Sequence, residues 1–171
     1  MNKNSEIGNN LGDADFKLWR PLDHTWFMVG RSRGKELARF GLTPEQSHVL
    51  DILAMNGGSI TINEIVNITQ RQHHSISTLI TRMTRQGLVL KTKNARDFRK
   101  WDVTVTEKGQ KLFERLTRDS IKEICSCLST EDKAELNASL RQLLVKAYEV
   151  LGQPHETNIY RADDGYTNPS E

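Results

Sequence analysis

Cysteine is scarce in this chain of 171 residues, which contains only Cys125 and Cys127. The two lie two positions apart in a segment with helical periodicity, where their side chains point about 200° apart. Such neighbours cannot easily form a disulfide with each other. Two interpretations stay open: both are small hydrophobic residues, or one senses oxidants by bridging to a second subunit.

Long apolar runs are also missing from the sequence. No run approaches the roughly 18 apolar residues of a membrane helix, and residues 1–13 are polar, without the apolar region of a signal peptide. We therefore expect a cytosolic protein without membrane association. With 36% hydrophobic and 27% charged residues, a chain of this length is expected to bury one core, with extensions.

The sequence has no set of residues typical of a catalytic or metal site. A nucleophile–base constellation, paired catalytic carboxylates and a phosphate-binding loop are all missing. His73 and His74 would point about 100° apart on a helix, which argues against one metal ion held by both. The remaining histidines, His24, His48 and His155, complete no ligand set. We therefore expect no enzymatic activity, no metal and no cofactor.

Acidic residues are almost absent between Arg71 and Trp101. This segment contains eight Lys or Arg residues and a single acid, Asp97, which gives it a net charge of +7. Because the whole chain carries only +2, the rest of it carries about −5. Such a concentration of positive charge indicates a surface that binds phosphates, and the alternative is a basic face that is merely solvated.

Apolar periodicity predicts helices on both sides of this basic segment. The first begins at Leu22, with Pro21 in its first turn, and ends at Gly41, while residues 1–14 have no periodicity and are expected to be flexible. Gly30 and Gly34 would let another helix approach closely or leave room for a ligand. Capping patterns at 43–46, 61–64, 106–109 and 129–132 predict four further helix starts.

The basic segment itself reads as a helix followed by two strands. A helix over 71–86 places Ile76, Leu79, Ile80 and Met83 on one apolar face, and Gly87 ends it. The period then changes to two over 88–93 and 101–105, which predicts a β-hairpin with the basic tip 94–100. The apolar stripe after Thr106 runs without interruption to Leu128, so that one helix is expected there.

A helix, a turn, a second helix and a hairpin form the winged helix-turn-helix arrangement. The predicted fold class is therefore mainly α with a small β-hairpin wing, flanked by N- and C-terminal helices. The second helix of such a module enters the major groove of DNA. Its exposed N-terminal residues are the candidate base readers: Arg71, Gln72, His73, His74, Ser75, Ser77 and Thr78.

The remaining cations of the segment receive backbone and minor-groove roles. Arg82, Arg85, Arg96 and Lys100 are expected to contact phosphates. Arg99, at the wing tip, has the length and the planar guanidinium to enter a narrow minor groove. Asp97 would be repelled by phosphates, so we expect it to pair with Arg99 or Arg96 and hold the shape of the loop.

Five segments of the chain follow a pattern typical of one family of regulators. They are Gly41-Leu42-Thr43-Pro44-Glu45-Gln46, Glu64-Ile65, Leu79-Ile80-Thr81-Arg82-Met83, Gly87-Leu88-Val89, and Asp97-Phe98-Arg99 with Val103-Thr104-Val105-Thr106-Glu107-Lys108-Gly109. On these segments the chain, over roughly residues 20 to 150, resembles the multiple-antibiotic-resistance regulator (MarR) family. Two features depart from the family pattern: Gln70 stands where a small polar cap usually precedes the recognition helix, and the C-terminal tail is longer.

The resemblance implies a homodimer that forms through the first and last helices and binds an imperfect palindrome. It also implies a repressor that a small aromatic or acidic ligand releases. The expected regions are a flexible N-terminus (1–14), an N-terminal dimerisation helix (15–42), the winged helix-turn-helix domain (43–106), C-terminal dimerisation helices (107–152) and a mobile tail (153–171).

By position, the candidate ligand pocket takes His24, Trp26, Phe27, Met28 and Arg31 from the first helix, with contributions from 49–53 and 112–116. Trp26, Phe27 and Met28 are alternatively plain core residues, and Arg31 is alternatively an exposed, salt-bridged arginine. Two other functions compete with the ligand-released repressor. One is a redox-sensing regulator that uses Cys125 or Cys127, and the other is a winged-helix scaffold that binds protein and reads no DNA.

Overall fold

The computed structural model describes residues 13–152, which form a mainly helical fold with one small antiparallel sheet and confirm the predicted fold class. Within this range no helix is both long and apolar enough to cross a membrane. The helices are α1 (Ala14–Ala38), α2 (Pro44–Met55), α3 (Ile62–Thr69), α4 (His73–Arg85), α5 (Glu107–Glu114), α6 (Asp119–Cys125) and α7 (Thr130–Val150), and the strands are β1 (Ser59–Thr61), β2 (Val89–Lys93) and β3 (Trp101–Val105).

The chain divides into two compact units. The first contains α1 and α6, in residues 13–44 and 117–127. The second contains α2 to α5, the sheet and α7, in residues 45–116 and 128–152. The predicted base readers and the wing therefore belong to one unit.

Helix α1 begins at Ala14, so the predicted start at Leu22 is wrong. Asp13 caps the helix, with its side-chain Oδ1 accepting a hydrogen bond from the backbone N of Asp15 at 3.2 Å. Pro21 therefore lies inside the helix, where its ring removes one backbone donor. The expected flexibility of residues 1–12 and of the tail 153–171 lies outside the described residues.

The single helix predicted from Thr106 to Leu128 is also wrong, because the chain leaves the helix after Glu114 and re-enters it at Asp119. The start of the second helix, α6, is hydrogen-bonded to a carboxylate of α1. Glu36 accepts hydrogen bonds from Thr117 Oγ1 at 2.7 Å, from the backbone N of Asp119 at 2.8 Å and from Ser120 Oγ. These bonds fix the non-helical segment and the first turn of α6 to α1.

The second unit is built on α2, α3 and α4. The capping box predicted at Thr61 is present, since Thr61 Oγ1 accepts from the backbone N of Glu64 and the Glu64 carboxylate accepts from the N of Thr61. Pro44 is the first residue of α2, as predicted. The core of this unit is formed by Val49, Leu50, Ile52, Leu53, Ile62, Ile65, Ile76, Leu79, Ile80, Met83, Leu88, Val89 and Val103.

The sheet has the strand order β1-β3-β2, with β3 in the centre. The predicted hairpin is confirmed, with Val89 opposite Val105 and Lys93 opposite Trp101. Strand β1 was not predicted, because its three residues are too few to reveal a period of two. It pairs antiparallel with β3 and joins the hairpin to the segment that leads into α3.

Helix α7 begins at the predicted capping box, in which Ser129 and Asp132 exchange side-chain and backbone hydrogen bonds. It has 21 residues, and none of them is buried in the single chain. Leu136, Leu140 and Leu143 are between 40% and 48% exposed. This helix therefore presents an apolar stripe that the described residues leave partly exposed.

Candidate nucleic-acid interface

Helix α4 starts two residues later than predicted and is capped at a different position. Gln70 does not cap it: this residue ends α3 in the left-handed conformation, with φ of 52°. The N-cap of α4 is Gln72, whose side chain makes no capping hydrogen bond. Arg71 and Gln72 therefore precede the helix, and His73 is its first residue.

One face of α4 is buried and the other is exposed, as the periodicity predicts. Ile76, Leu79, Ile80 and Met83 are at most 5% exposed and pack into the core of the unit. At the C-terminal end, Gly87 adopts φ of 71°, with backbone hydrogen bonds from Gly87 to Thr84 and from Leu88 to Met83. Of the predicted base readers, Ser77 is half-buried, and the exposed ones are Arg71, Gln72, His73, His74, Ser75 and Thr78.

The exposed face borders an open groove of about 420 Å³ between the start of α2 and α4. An Arg71 guanidinium nitrogen lies 3.7 Å from a carboxylate oxygen of Glu45, and both side chains remain at least 40% exposed. A contact of this kind is weak in water, so Arg71 can exchange it for a phosphate. The groove also takes in the predicted phosphate contact Arg82, which is exposed, as is Arg85.

A partly buried histidine lies behind this face on α2. Burial lowers the pKa of His48, the charge of Asp51 opposes the shift, and the charge of Arg71 adds to it. The Nε2 atom of His48 is buried and has no hydrogen-bond partner in the described part of the chain. A neutral imidazole at this position adds no repulsion to the cations of α4.

The tip of the wing is braced by one asparagine that the sequence did not single out. Asn94 Oδ1 accepts hydrogen bonds from the backbone N of Arg96 and of Asp97, both at 2.9 Å. Its Nδ2 donates to the carboxylate of Asp102 at 2.9 Å, and its backbone N donates to the carbonyl of Lys100 at 3.1 Å. The loop is therefore held closed across its base.

Asp97 makes the contacts expected of it within this loop. Its Oδ1 accepts a hydrogen bond from the backbone N of Arg99 at 3.0 Å and lies 3.5 Å from the Arg99 Nε. The Arg99 side chain is nevertheless 95% exposed, so its guanidinium points into solvent. Arg96 and Lys100, the predicted phosphate contacts of the wing, are exposed on either side.

Trp101 and two lysines form a second feature that the sequence analysis missed. The ammonium groups of Lys91 and Lys93 lie 4.6 and 4.2 Å from the centroid of the Trp101 ring. Lys93 Nζ also donates to the carbonyl of Phe98 at 3.0 Å. The sequence carried part of the signal, because Lys91, Lys93 and Trp101 lie in the two alternating runs of the predicted hairpin. The register that places Lys93 opposite Trp101 comes from the structure.

The candidate ligand-pocket residues of α1 are all on the surface of the first unit. Trp26 is 75% exposed, and Phe27 and Met28 are at least half exposed, so the interpretation of these three as core is wrong for the single chain. His24 is exposed, and the Arg31 guanidinium lies 5.8 Å from the centroid of the Phe27 ring. Residues 49–53 lie largely in the core of the second unit.

The two cysteines are the remaining candidates for a sensing role. Cys125 is half-buried, and Cys127 is exposed with its thiol donating to the carbonyl of Ile124 at 3.2 Å. Across residues 13–152, no group of three or more His, Cys, Asp or Glu side chains is arranged to hold a metal ion.

A helix that exposes polar and cationic side chains, followed by a braced cationic hairpin, defines the winged helix-turn-helix class of DNA-binding proteins. A family model described as MarR family matches residues 40–100. The homoprotocatechuate degradative operon repressor of Escherichia coli is 30% identical over 121 residues, which cover 71% of this chain and 80% of the repressor. The chain belongs to the MarR family and is a DNA-binding transcription regulator.

Solved structures agree with this assignment. The S. aureus MepR–DNA complex is 26% identical, with a TM-score of 0.66 over 79% of this chain and 99% of that one. The organohalide-sensing regulator RdhR-CbdbA1625 in its 2,4-dichlorophenol-bound form is 22% identical, with a TM-score of 0.74 over 85% of this chain and 87% of that one.

Proposed function

We propose that the protein is a homodimeric repressor that binds an imperfect palindromic operator and is released by a small aromatic or acidic molecule. The observation that carries the DNA-binding part is the combination, in one unit, of the exposed face of α4 and the cationic wing. The predicted base readers other than the half-buried Ser77 are exposed, and Arg99 extends from a loop whose backbone is fixed by Asn94 and Asp97.

Base reading is assigned to the N-terminal part of α4. His73, His74, Ser75 and Thr78 present donors and acceptors that match base edges in the major groove. Arg82 and Arg85 lie further along the helix, where a docked helix meets the phosphate backbone. This assignment implies that changes at His73 or Thr78 alter sequence preference, whereas changes at Arg82 lower affinity uniformly.

Assembly into a dimer is supported by the uncovered apolar side chains of α1 and α7. Helix α1 exposes Phe16, Trp19, Trp26 and Phe27, and α7 exposes its leucine stripe. A contiguous exposed patch of large apolar side chains marks an interaction surface. A two-fold dimer would present two copies of α4 about one DNA turn apart, which is why the operator is expected to be palindromic.

The class of effector is proposed from the relatives and from α1. One relative represses a homoprotocatechuate degradative operon, and one structural neighbour holds 2,4-dichlorophenol. Both names point to aromatic compounds. On this chain, Trp26, Phe27 and Met28 offer aromatic and polarisable contacts, and Arg31 and His24 offer partners for an acidic group.

The decisive experiment is selection of duplexes from a random library and of fragments from the host genome by the purified full-length protein. We expect a palindromic consensus, and the genes beside genomic sites would suggest the effector. Affinity for the selected duplex should fall about 10³- to 10⁵-fold between 50 and 200 mM salt if roughly six to ten phosphates are contacted. Failure to enrich any duplex would reject the proposal in favour of the protein-binding scaffold.

A further inference from the structure

Phe98 lies in the tip of the wing, and its side chain is largely exposed there. The side chain is 73% exposed, although burial of a phenylalanine ring is favourable. Among the ring contacts found in the described residues, the cation–π pairs of the wing belong to Trp101. The structure thus holds an aromatic ring exposed to water in the loop of the wing.

The backbone that carries this ring is fixed from both sides. Before Phe98, Asn94 Oδ1 accepts from the backbone N of Asp97, and after it Asp97 Oδ1 accepts from the N of Arg99. The Phe98 carbonyl itself accepts from Lys93 Nζ at 3.0 Å. A fixed backbone lowers the entropy that an exposed ring would lose on binding. The backbone at Phe98 is therefore fixed while its ring remains exposed.

The surroundings of the ring select the kind of partner. Arg96, Arg99 and Lys100 are exposed on either side of Phe98, so any partner of the ring must also accept a dense positive charge. Duplex DNA meets both requirements, because its phosphates attract the cations and its base steps accept an apolar wedge from the minor groove.

We propose that Phe98 inserts as an apolar wedge at a base step of the minor groove entered by Arg99, and thereby makes recognition depend on how easily that step opens. The inference rests on the proposed function, in which the wing lies on the DNA. Pyrimidine–purine steps such as TA and CA unstack with the least cost. Phe98 then acts as a specificity-determining residue that reads deformability, while α4 reads base edges.

The test uses a duplex that the wild-type full-length protein has selected from a random library. Copies of it carry the fluorescent base 2-aminopurine at each step under the wing, since 2-aminopurine brightens when it is unstacked. We expect binding of the wild type to raise fluorescence at one step. Phe98→Ala should abolish the rise and weaken binding about tenfold without changing the salt slope, because no charge is lost.

Three further variants make the result interpretable. Phe98→Leu should keep part of the fluorescence rise, because leucine is also a wedge residue. Leu90→Ala removes another exposed apolar side chain from the hairpin, on β2, and should change neither signal. Arg99→Ala should lower the salt slope. Unfolding temperatures of all variants should match the wild type, since neither Phe98 nor Arg99 packs in the core.

The outcomes separate the two proposals. The wedge would be overturned if Phe98→Ala kept the affinity, the fluorescence rise and the step preference of the wild type. A lowered salt slope in Arg99→Ala would then still leave the wing on the DNA. Wild-type behaviour of both variants would remove the wing from the DNA and overturn the wedge with it. If the library yields no selected duplex, the proposed function itself fails.

Discussion

At the scale of single residues, the carboxylate of Glu36 carries an unusual number of hydrogen bonds. It lies in α1, is 5% exposed and accepts from Thr117, Asp119 and Ser120 as well as from Arg33 Nη1 at 2.7 Å. Burial alone would raise the pKa of Glu36, but these bonds outweigh burial and lower it to about 2. The charged carboxylate is therefore a part of the folded structure.

Glu36→Gln should destabilise the protein by about 2 to 4 kcal/mol, because an amide keeps one acceptor and turns a donor toward the hydroxyls and Arg33. The measurement is urea unfolding at pH 7, with Glu135→Gln on the exposed surface of α7 as the matched control. A loss below about 0.5 kcal/mol would show that the hydrogen bonds to Glu36 are replaced by water.

The same carboxylate gives a pH dependence with a defined sign. Because the folded pKa lies below the unfolded value, the stabilisation is fully present above about pH 4.5 and is lost as the pH falls toward 2. The difference corresponds to about 3 kcal/mol. Glu36→Gln should therefore flatten the acid limb of the stability profile. An equally steep acid limb in the variant would assign that limb to other carboxylates.

Arg99→Ala tests the minor-groove contact at the wing tip. We expect weaker binding to the selected duplex and a salt slope lowered by about one per wing, since one phosphate-neutralising charge is lost. Arg96→Ala is the matched control: it should lower the slope similarly but keep any preference for A·T pairs under the wing. The comparison is made by fluorescence anisotropy at several salt concentrations. An unchanged slope in Arg99→Ala would contradict its contact with DNA.

Sequence reasoning found residues whose role follows from charge and missed those whose role follows from geometry. The Asp97–Arg99 pair was predictable, because the single acid of a cationic segment is expected to pair with a neighbouring cation. Asn94 was not, because its hydrogen bonds depend on the folded loop and on Asp102, eight residues away. The exposure of Trp26 was likewise not readable from an apolar stripe, which looks the same whether its own chain or a partner covers it.

At the scale of secondary structure elements, helix starts with a local capping box were predictable, and a start or break that depends on distant residues was not. The caps at Thr61, Thr106 and Ser129 act over three residues, so sequence alone identified them. The break before Asp119 depends on Glu36, 83 positions earlier in the chain, and no local pattern carries that information. Local chemistry predicts a helix start where a capping box is present, whereas the start of α6 is set by a tertiary contact.

Gly109→Ala tests the joint between the wing and α5. A Cβ atom at this position would lie 2.1 Å from the carbonyl oxygen of Leu88 and 3.0 Å from a methyl group of Val105, so the backbone would have to move. We expect a loss of about 1 to 3 kcal/mol, as for other overpacked sites. Gln110→Ala, one residue along on the exposed surface, should cost far less. Equal unfolding midpoints for the two variants would contradict the crowding.

At the scale of the whole molecule, the charges and the apolar surfaces are separated along the chain. The cations are concentrated between Arg71 and Trp101, whereas uncovered apolar side chains are concentrated on α1 and α7. The cationic region is suited to a polyanion, and the apolar region is the surface through which we propose that two copies of the chain associate. If DNA binding requires both regions, disrupting the apolar one should abolish tight binding without altering the cationic surface.

The substitution Leu140→Glu tests whether the apolar region is needed for tight DNA binding. Leu140 is 40% exposed in the middle of the α7 stripe, and a carboxylate there would have to be buried in any interface that covers the stripe. We expect a monomer by analytical ultracentrifugation, with the helical content of the folded unit retained. Because a monomer has one α4 and one wing instead of two, its affinity for the palindrome should fall at least 100-fold and its salt slope should be about halved.

The matched control for this variant is Gln142→Glu, which adds the same charge to α7 about 200° around the helix from Leu140. Gln142 is exposed, so its replacement should leave both the sedimentation coefficient and the affinity unchanged. A Leu140→Glu protein that sediments as a dimer would remove the leucine stripe from the interface. A Leu140→Glu monomer with full affinity and an unchanged salt slope would mean that one chain alone makes every DNA contact, and this would contradict the proposed binding of a dimer to a palindrome.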